Sequence, residues 1–265
     1  MNALAPDRAS VSALSTGAAP FARAVLAQTR AELTLTMRRG ESVLITILVP
    51  AALLAFFASL RIVPTHSGTT VAPIVFLVPG ILALAIISTG MVSLGIATAY
   101  ERYYGVLKRL GSSPLPRSGL LLAKGIAVLA LEVFQVGLLL VIAAVVFGWR
   151  PVGSFWASLL VFLVGTACFA GIGMAMAGAL RAEATLAGAN ALFLVFLILG
   201  GIALPVDHLP GVLQPLANVL PAAALTTALR GAMTPGGVVP LGSLALLAGW
   251  AVVVLAYAAR TFKWE

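Results

Sequence analysis

The amino-acid sequence predicts an all-α integral membrane protein built around six membrane-spanning helices. Hydrophobic residues make up 61% of the 265 residues, charged residues make up 9%, and the mean hydropathy is +1.11. A soluble domain of this composition would lack the polar groups needed to cover its surface. The apolar residues form six segments, each long enough to cross a hydrocarbon core roughly 30 Å thick. The net charge of +8 comes from basic residues at the ends of these segments, which is typical of membrane proteins.

The chain before the first span divides into a tail and an amphipathic segment. Residues 1–20 are rich in Ala, Ser, Thr and Pro without periodicity, which indicates a disordered cytoplasmic tail. Residues 21–39 show a basic amphipathic pattern, which predicts a helix lying in the cytoplasmic interface. The expected apolar face of this interfacial helix consists of Ala22, Leu26, Thr29, Leu33 and Met37.

The six predicted spans cover approximately residues 42–60, 71–98, 118–147, 154–180, 184–204 and 241–259. All of the 16 Lys and Arg residues except Arg61, Arg150 and Arg230 fall on one side of this arrangement. Because basic residues are enriched on the cytoplasmic side, we expect both termini to be cytoplasmic. The fourth span also carries small residues at every fourth position, which predicts a helix-packing surface within the chain or with a second subunit. These residues are Ala167, Gly171, Ala175 and Ala179.

The densest group of charged and turn-forming residues lies between the second and third spans. Residues 99–110 fit one continuous amphipathic helix, whose apolar side should face the lipid. Its apolar side consists of Tyr100, Tyr103, Leu107 and Leu110, and its polar side consists of Glu101, Arg102, Gly105, Lys108 and Arg109. Because Gly105 has no Cβ, it would let a partner surface approach the helix backbone closely.

A second unusual segment, residues 207–231, separates the fifth and sixth spans. It is too apolar for a free loop, yet Pro210, Pro215 and Pro221 interrupt it too often for a seventh span. We predict two short helices that dip into the outer leaflet as a re-entrant hairpin. Irregular backbone is tolerated at that depth only where protein or a water-filled cavity satisfies its polar groups.

Glu132 is the only ionisable residue well inside a predicted span, and Gln135 follows one helical turn later. An intramembrane charge is costly, so this side chain should face the bundle interior and have a partner. Two interpretations stay open. Glu132 is either a buried, protonated structural carboxyl bonded to a neighbouring span, or it lines a substrate path that favours cationic or hydroxyl-bearing cargo.

The sequence offers no motif for catalysis by this chain. The phosphate-binding motif G-x-x-x-x-G-K-[ST] is absent, so any ATP hydrolysis is expected on a separate subunit. Ser93 has no intramembrane histidine to act as its base, and no group of His, Asp or Glu has metal-ligand spacing. The single cysteine, Cys168, excludes an intramolecular disulfide. We therefore predict no catalytic residue, no metal and no cofactor on this chain.

The pattern E-R-x-x-G-x-L-K-R-L-x-x-x-P-L-P, which runs from Glu101 to Pro116, resembles the cytoplasmic loop of ABC-2 type permeases. The order of interfacial helix, six spans, charged loop, hairpin and basic tail is also similar to that family, and the drug-resistance group of bacterial exporters in particular. The resemblance implies that the loop helix is a coupling helix, which docks into a cleft of a separate ATPase subunit. The implied coupling residues are Glu101, Arg102, Gly105, Leu107, Lys108 and Arg109. The resemblance also implies that Pro210, Pro215 and Pro221 belong to an outer gate, and that the first and fifth spans line a seam between two permeases.

The function implied by this resemblance is that of the permease subunit of an ATP-binding cassette exporter in a bacterial plasma membrane. Two permeases, identical or related, would work with two ATPase subunits that bind ATP and Mg to export a drug, a lipid or another amphiphile. One alternative is an ATP-independent channel or carrier, which would transport without an ATPase and tolerate charge reversal at Lys108 and Arg109. Another is an intramembrane enzyme, against which the missing catalytic constellation argues.

Overall fold

The computed structural model describes residues 21–38, 40–60, 73–111, 116–202 and 204–261, and every regular element in these ranges is helical. The α-helices are α1 (Phe21–Arg38), α2 (Gly40–Leu60), α3 (Pro73–Ile86), α4 (Leu94–Tyr103), α5 (Val106–Gly111), α6 (Arg117–Phe147), α7 (Phe155–Ala179), α8 (Ala182–Leu199), α9 (Gln214–Val219), α10 (Pro221–Met233) and α11 (Leu241–Thr261). A π-helical segment, Ile87–Ser93, joins α3 to α4 without a break, and a 3₁₀ turn, Val206–His208, precedes α9. The predicted tail 1–20 lies outside the described residues.

Within the described residues, five helical stretches are long and apolar enough to cross a membrane. They are Ile74–Tyr103, Ser118–Phe147, Phe155–Ala179, Ala182–Leu199 and Leu241–Thr261. The expected all-helical, multi-pass architecture is therefore confirmed. Helix α2 occupies the first predicted span, but the apolar stretch found in its described part is only Leu48–Ser59. The six-span layout thus stays a prediction.

Helix α7 lies at the centre of the bundle and packs against α10, α11, α4 and the π-helical segment. Its small residues allow this close approach. A Cβ on Gly173 would lie 2.7 Å from the Met91 carbonyl oxygen, and a Cβ on Gly171 would lie 2.6 Å from a methyl group of Val254. No larger side chain fits at either position, since such contacts are far inside van der Waals distance. The small-residue surface predicted on the fourth span therefore packs, at Gly171, against α11 of the same chain.

Helix α1 packs against α6 with a side that shares Thr29 with the predicted apolar face. Val25 and Thr29 are buried, whereas Leu26 and Met37 are 54% and 60% exposed. The Thr29 hydroxyl donates to the Val25 carbonyl oxygen at 2.9 Å within α1 and lies 3.4 Å from the Ala123 carbonyl oxygen of α6. The side of α1 toward α6 is thus partly polar, since Glu32 of α1 also pairs with Lys124 of α6 at 2.9 Å.

Two helices are present in the predicted hairpin segment, and they differ in environment. Helix α10 is almost entirely buried against α3, α7 and α11, whereas Ala217 is the buried residue of α9. Pro215 lies in the first turn of α9 and Pro221 is the first residue of α10, where a missing N–H costs no helical hydrogen bond. Pro210 is exposed in the preceding turn, where its carbonyl accepts from Leu213 N at 2.7 Å. Their depth in the membrane and the outer-gate role stay predictions.

Candidate functional site

The charged loop contains a sharp turn where the sequence predicts one continuous helix over 99–110. Helix α4 ends at Tyr103, Tyr104 and Gly105 form a turn, and α5 begins at Val106. Gly105 has a φ of +71°, a left-handed conformation that glycine adopts without steric cost. The prediction of an unbroken helix is therefore wrong, because Gly105 redirects the chain. We refer to this end of the bundle as the loop end, and to the end that carries α9 and α10 as the hairpin end.

Leu107 anchors α5 to the rest of the protein. It is fully buried in a small apolar cluster with Val25 of α1 and with Leu120 and Ala123 of α6. The expectation that the apolar side of this element faces lipid is wrong at Leu107, because protein covers it. Complete burial of a leucine side chain contributes roughly 2 kcal/mol, so this contact fixes α5 on α1 and α6.

Lys124 of α6 is the centre of an ion-pair network at the loop end. Its Nζ lies 2.6 Å from Glu101 Oε2 of α4 and 2.9 Å from Glu32 Oε1 of α1. The Lys124 side chain is 1% exposed, and the Glu32 and Glu101 side chains are 12% and 14% exposed. One ammonium group therefore joins three helices. Glu101, predicted as a coupling residue, is directed into the protein by this contact.

Arg102 binds the C-terminal end of α7. Its Nη1 donates to the Gly178 carbonyl oxygen at 2.7 Å, and its Nη2 donates to the Leu180 carbonyl oxygen. The last carbonyl groups of a helix have no partner within that helix and carry its negative dipole end, so a guanidinium is well matched to them. This second predicted coupling residue therefore also makes an intramolecular contact.

The opposite side of the turn is exposed and combines aromatic with basic residues. Tyr103 and Tyr104 are 64% and 67% exposed, and their rings meet edge to face with centroids 5.1 Å apart. Lys108 and Arg109 are exposed in α5. We define the turn surface as Tyr103, Tyr104, Gly105, Val106, Lys108 and Arg109. The sequence pattern assigned Tyr103 to the apolar side of this element and gave Tyr104 no role, so it did not single out the tyrosine pair.

A buried polar layer lies in the middle of the bundle, beside the π-helical segment. Glu132 is fully buried in α6, and its Oε2 accepts a short hydrogen bond from Thr166 Oγ1 of α7. Gln135 is also buried, and its Oε1 accepts from Thr89 Oγ1 at 2.7 Å. The structure thus places both sequence-predicted residues inside the bundle of one chain, each bonded to a neighbouring span.

The second carboxylate oxygen of Glu132 lies against the π-helical segment. Glu132 Oε1 is buried without a hydrogen-bond partner among the described residues. A Cβ on Gly90 would lie 3.2 Å from this oxygen, so glycine at that position leaves room for the carboxyl group. π-helical turns are rare and often occur at functional positions. The apolar periodicity of the second predicted span did not indicate this seven-residue π-helical segment, Ile87–Ser93.

No group of three His, Cys, Asp or Glu side chains has metal-binding geometry in the part of the chain that the structure describes. Of the two histidines, His208 lies in the 3₁₀ turn, and His66 falls outside the described residues. The site consists instead of an exposed turn surface, the anchors beneath it and a buried polar layer. Such an arrangement suits binding and movement rather than covalent chemistry.

Comparison with known proteins identifies the family. The sequence model of the ABC-2 type transporter family matches residues 23–234, which extend from α1 through α10. No curated protein matches the chain. The match spans most of the 265 residues and includes all of the apolar helices described above except α11. The chain therefore belongs to the ABC-2 type transporter family, whose multi-pass membrane domains are transport permeases and not themselves catalytic.

Proposed function

We propose that this protein is the permease subunit of an ATP-binding cassette exporter and that its turn surface docks a separate ATPase subunit. Family membership supports the permease role, since such membrane domains typically work with an ATPase subunit. The observation that carries the docking proposal is the pair of exposed tyrosines, Tyr103 and Tyr104, beside the basic residues of α5.

The composition of the turn surface is that of a protein–protein contact. Tyrosine and arginine are enriched at interface hot spots, because they combine large contact area with hydrogen-bonding groups. Ring contacts of Tyr104 with Tyr100 and Tyr103 limit the rotamer freedom that docking would otherwise cost. The turn surface thus presents a preordered contact area.

The anchors of the turn give docking a mechanical consequence. Leu107 attaches α5 to α1 and α6, Lys124 attaches α4 to the same two helices, and Arg102 attaches α4 to α7. A force applied to the turn surface is therefore passed to several helices. In the proposed cycle, ATP and Mg bind to the ATPase, and its closure displaces this loop end toward an outward-open state.

The remaining parts of the proposal concern assembly and cargo. Two permeases, either two copies of this chain or one copy with a related chain, form the pathway above two ATPase subunits in a bacterial plasma membrane, with both termini cytoplasmic. The cargo is a drug, a lipid or another amphiphile. Glu132 and Gln135 act mainly as structural groups in this proposal, because each is bonded within one chain.

Affinity purification from gently solubilised native membranes tests the docking proposal. The parent protein should bring down an ATP-binding subunit with ATPase activity. The variants Lys108→Glu/Arg109→Glu and Tyr103→Ala/Tyr104→Ala should each reduce its recovery by about tenfold or more, as expected for loss of interface hot spots. Arg260→Glu, a charge reversal of an exposed arginine in α11, is the matched control and should retain the subunit. Recovery of the parent without any ATPase would instead support an ATP-independent channel or carrier.

A further inference from the structure

An arginine from another helix binds the chain immediately before the N-terminal end of α8. The carbonyl groups that Arg102 of α4 binds belong to Gly178, in the last turn of α7, and to Leu180. Leu180 immediately precedes Arg181, which is the N-cap residue of α8. Arg102 therefore fixes α4 to the short turn from which α8 begins.

The opposite end of α8 is held in the same way by an arginine of α10. Arg230 Nη2 donates to the Gly201 carbonyl oxygen at 2.5 Å and to the Ile202 carbonyl oxygen at 3.1 Å. These residues directly follow Gly200, the C-cap residue of α8. The guanidinium also lies 3.5 Å from the centre of the Phe76 ring in α3. Arg230 therefore joins the hairpin end of α8 to both α10 and α3.

Both contacts are suited to transmitting movement. A guanidinium is planar and donates several hydrogen bonds in fixed directions, so two bonds to neighbouring carbonyl groups restrict rotation as well as distance. In the described residues, neither arginine lies within ion-pair distance of a carboxylate, so helix-end carbonyl groups are their main polar partners. Cations stabilise helix C-termini, because they interact favourably with the negative end of the helix dipole.

Between these two contacts, α8 buries one side and exposes the other. Phe196 is buried, whereas Leu194 and Ile198 are 56% and 63% exposed. At the loop end, by contrast, Ala182 of α8 packs against Ala99 of α4 and Ala177 of α7. The position of α8 therefore depends on the contacts at its two ends together with the packing of its buried side.

We propose that Arg102 and Arg230 are positioning residues that make α8 a rigid link between the loop end and the hairpin end. Displacement of α4 and the turn surface moves the start of α8 through Arg102, and the far end of α8 moves α10 through Arg230. This inference rests on the proposed function, because it assigns a route to movement that ATPase docking would start. We refer to the two arginines with their carbonyl partners as the arginine clamp.

Distance measurements on the complex with its co-purified ATPase test the arginine clamp. Spin labels are attached at Val146→Cys of α6 and Val219→Cys of α9 in a Cys168→Ala background, with an excess of unlabelled permease. Both labelled positions are exposed and Cys168 is buried. Trapping with Mg-ATP and orthovanadate should shift the distance distribution in the parent complex. Arg102→Ala and Arg230→Ala should each lose at least half of that shift while ATP hydrolysis continues.

Matched variants separate the clamp from general effects of removing an arginine. Arg181→Ala at the loop end and Arg150→Ala at the hairpin end remove exposed arginines, and both should keep the full shift. Arg102→Lys and Arg230→Lys, which keep a charge and a donor, should restore part of the shift. If an alanine variant does not fold, the lysine variant at the same position is measured in its place.

Three results would overturn the inference in distinguishable ways. A full shift in Arg102→Ala and Arg230→Ala, with the ATPase bound, would show that movement takes another route and would leave the proposed function intact. Equal losses in the control variants would also reject a specific clamp. If no ATPase co-purifies with the parent protein, the proposed function is contradicted, and the inference that rests on it is contradicted as well.

Discussion

Lys124 shows how one residue determines the arrangement of the loop end. It lies seven residues after the start of α6, which places it roughly 10 Å along the helix axis. A lysine at that depth needs compensation, and Glu32 and Glu101 provide it from two other helices. These contacts explain why α1 presents a partly polar face to α6. They also explain why Glu101 points inward rather than toward a partner protein.

Glu132 poses the opposite problem, because it has one hydrogen-bonded oxygen and no cation in contact within the described residues. If its role is structural, Glu132→Gln should leave the thermal unfolding midpoint in detergent close to that of the parent, since an amide keeps the shape and an acceptor for Thr166. Glu132→Ala should lower stability by about 2–4 kcal/mol, through a cavity and an unpaired Thr166 hydroxyl.

The two Glu132 variants also separate structure from pathway. A Glu132→Ala variant as stable as the parent would contradict the proposed structural role, because removal of the side chain would then cost neither packing nor a hydrogen bond. A fully folded Glu132→Gln variant with reduced transport would favour a position on the substrate path. Unchanged transport would remove Glu132 from that path.

At the scale of elements, the break between α4 and α5 has the clearest functional consequence. It lets α5 bury Leu107 while the turn keeps Tyr103 and Tyr104 exposed. Two properties of Gly105 are consistent with this turn. Its φ of +71° favours glycine, and the space around its missing Cβ is open within 4 Å, so that a partner has room to approach.

Substitution of Gly105 distinguishes these two properties. Asparagine tolerates a left-handed conformation but adds a side chain, whereas valine is strained there. If the turn conformation is what matters, Gly105→Asn should retain the ATPase in co-purification and Gly105→Val should lose most of it. If close approach of the partner matters, both variants should lose it, and a gain of binding by either would contradict both explanations.

The arrangement of α7 shows a different use of small residues at this scale. Gly173 faces the backbone of the π-helical segment, and Gly171 faces α11. The four-residue spacing of small residues predicted a packing surface and included Gly171. It missed Gly173, whose partner is a local helix distortion rather than a regular helix face.

At the scale of the whole molecule, apolar composition and segment length predicted the helical membrane architecture. This succeeded because a membrane leaves a chain few ways to satisfy its backbone, so long apolar segments become helices. Features that depend on contacts between distant residues were not predictable in this way. The inward orientation of Glu101 requires Lys124, and the contacts of Arg230 require Phe76 and Gly201.

The turn surface was predicted only in part for the same reason. Lys108 and Arg109 follow from the helical pattern, which holds within α5. The exposure of Tyr103 and Tyr104 follows from the left-handed turn at Gly105. A glycine inside an otherwise helical pattern is tolerated in many helices, so the sequence alone did not distinguish a continuous helix from a break.

The most direct test of the central claim is site-specific photo-crosslinking in native membranes. A benzophenone amino acid replaces Tyr104 on the turn surface, and a control protein carries it at Val145, which is 78% exposed on α6. We predict that mass spectrometry will identify an ATP-binding subunit crosslinked through position 104 and not through position 145. Efficient crosslinking at position 104 to lipid alone, or to proteins without nucleotide-binding motifs, would contradict the account.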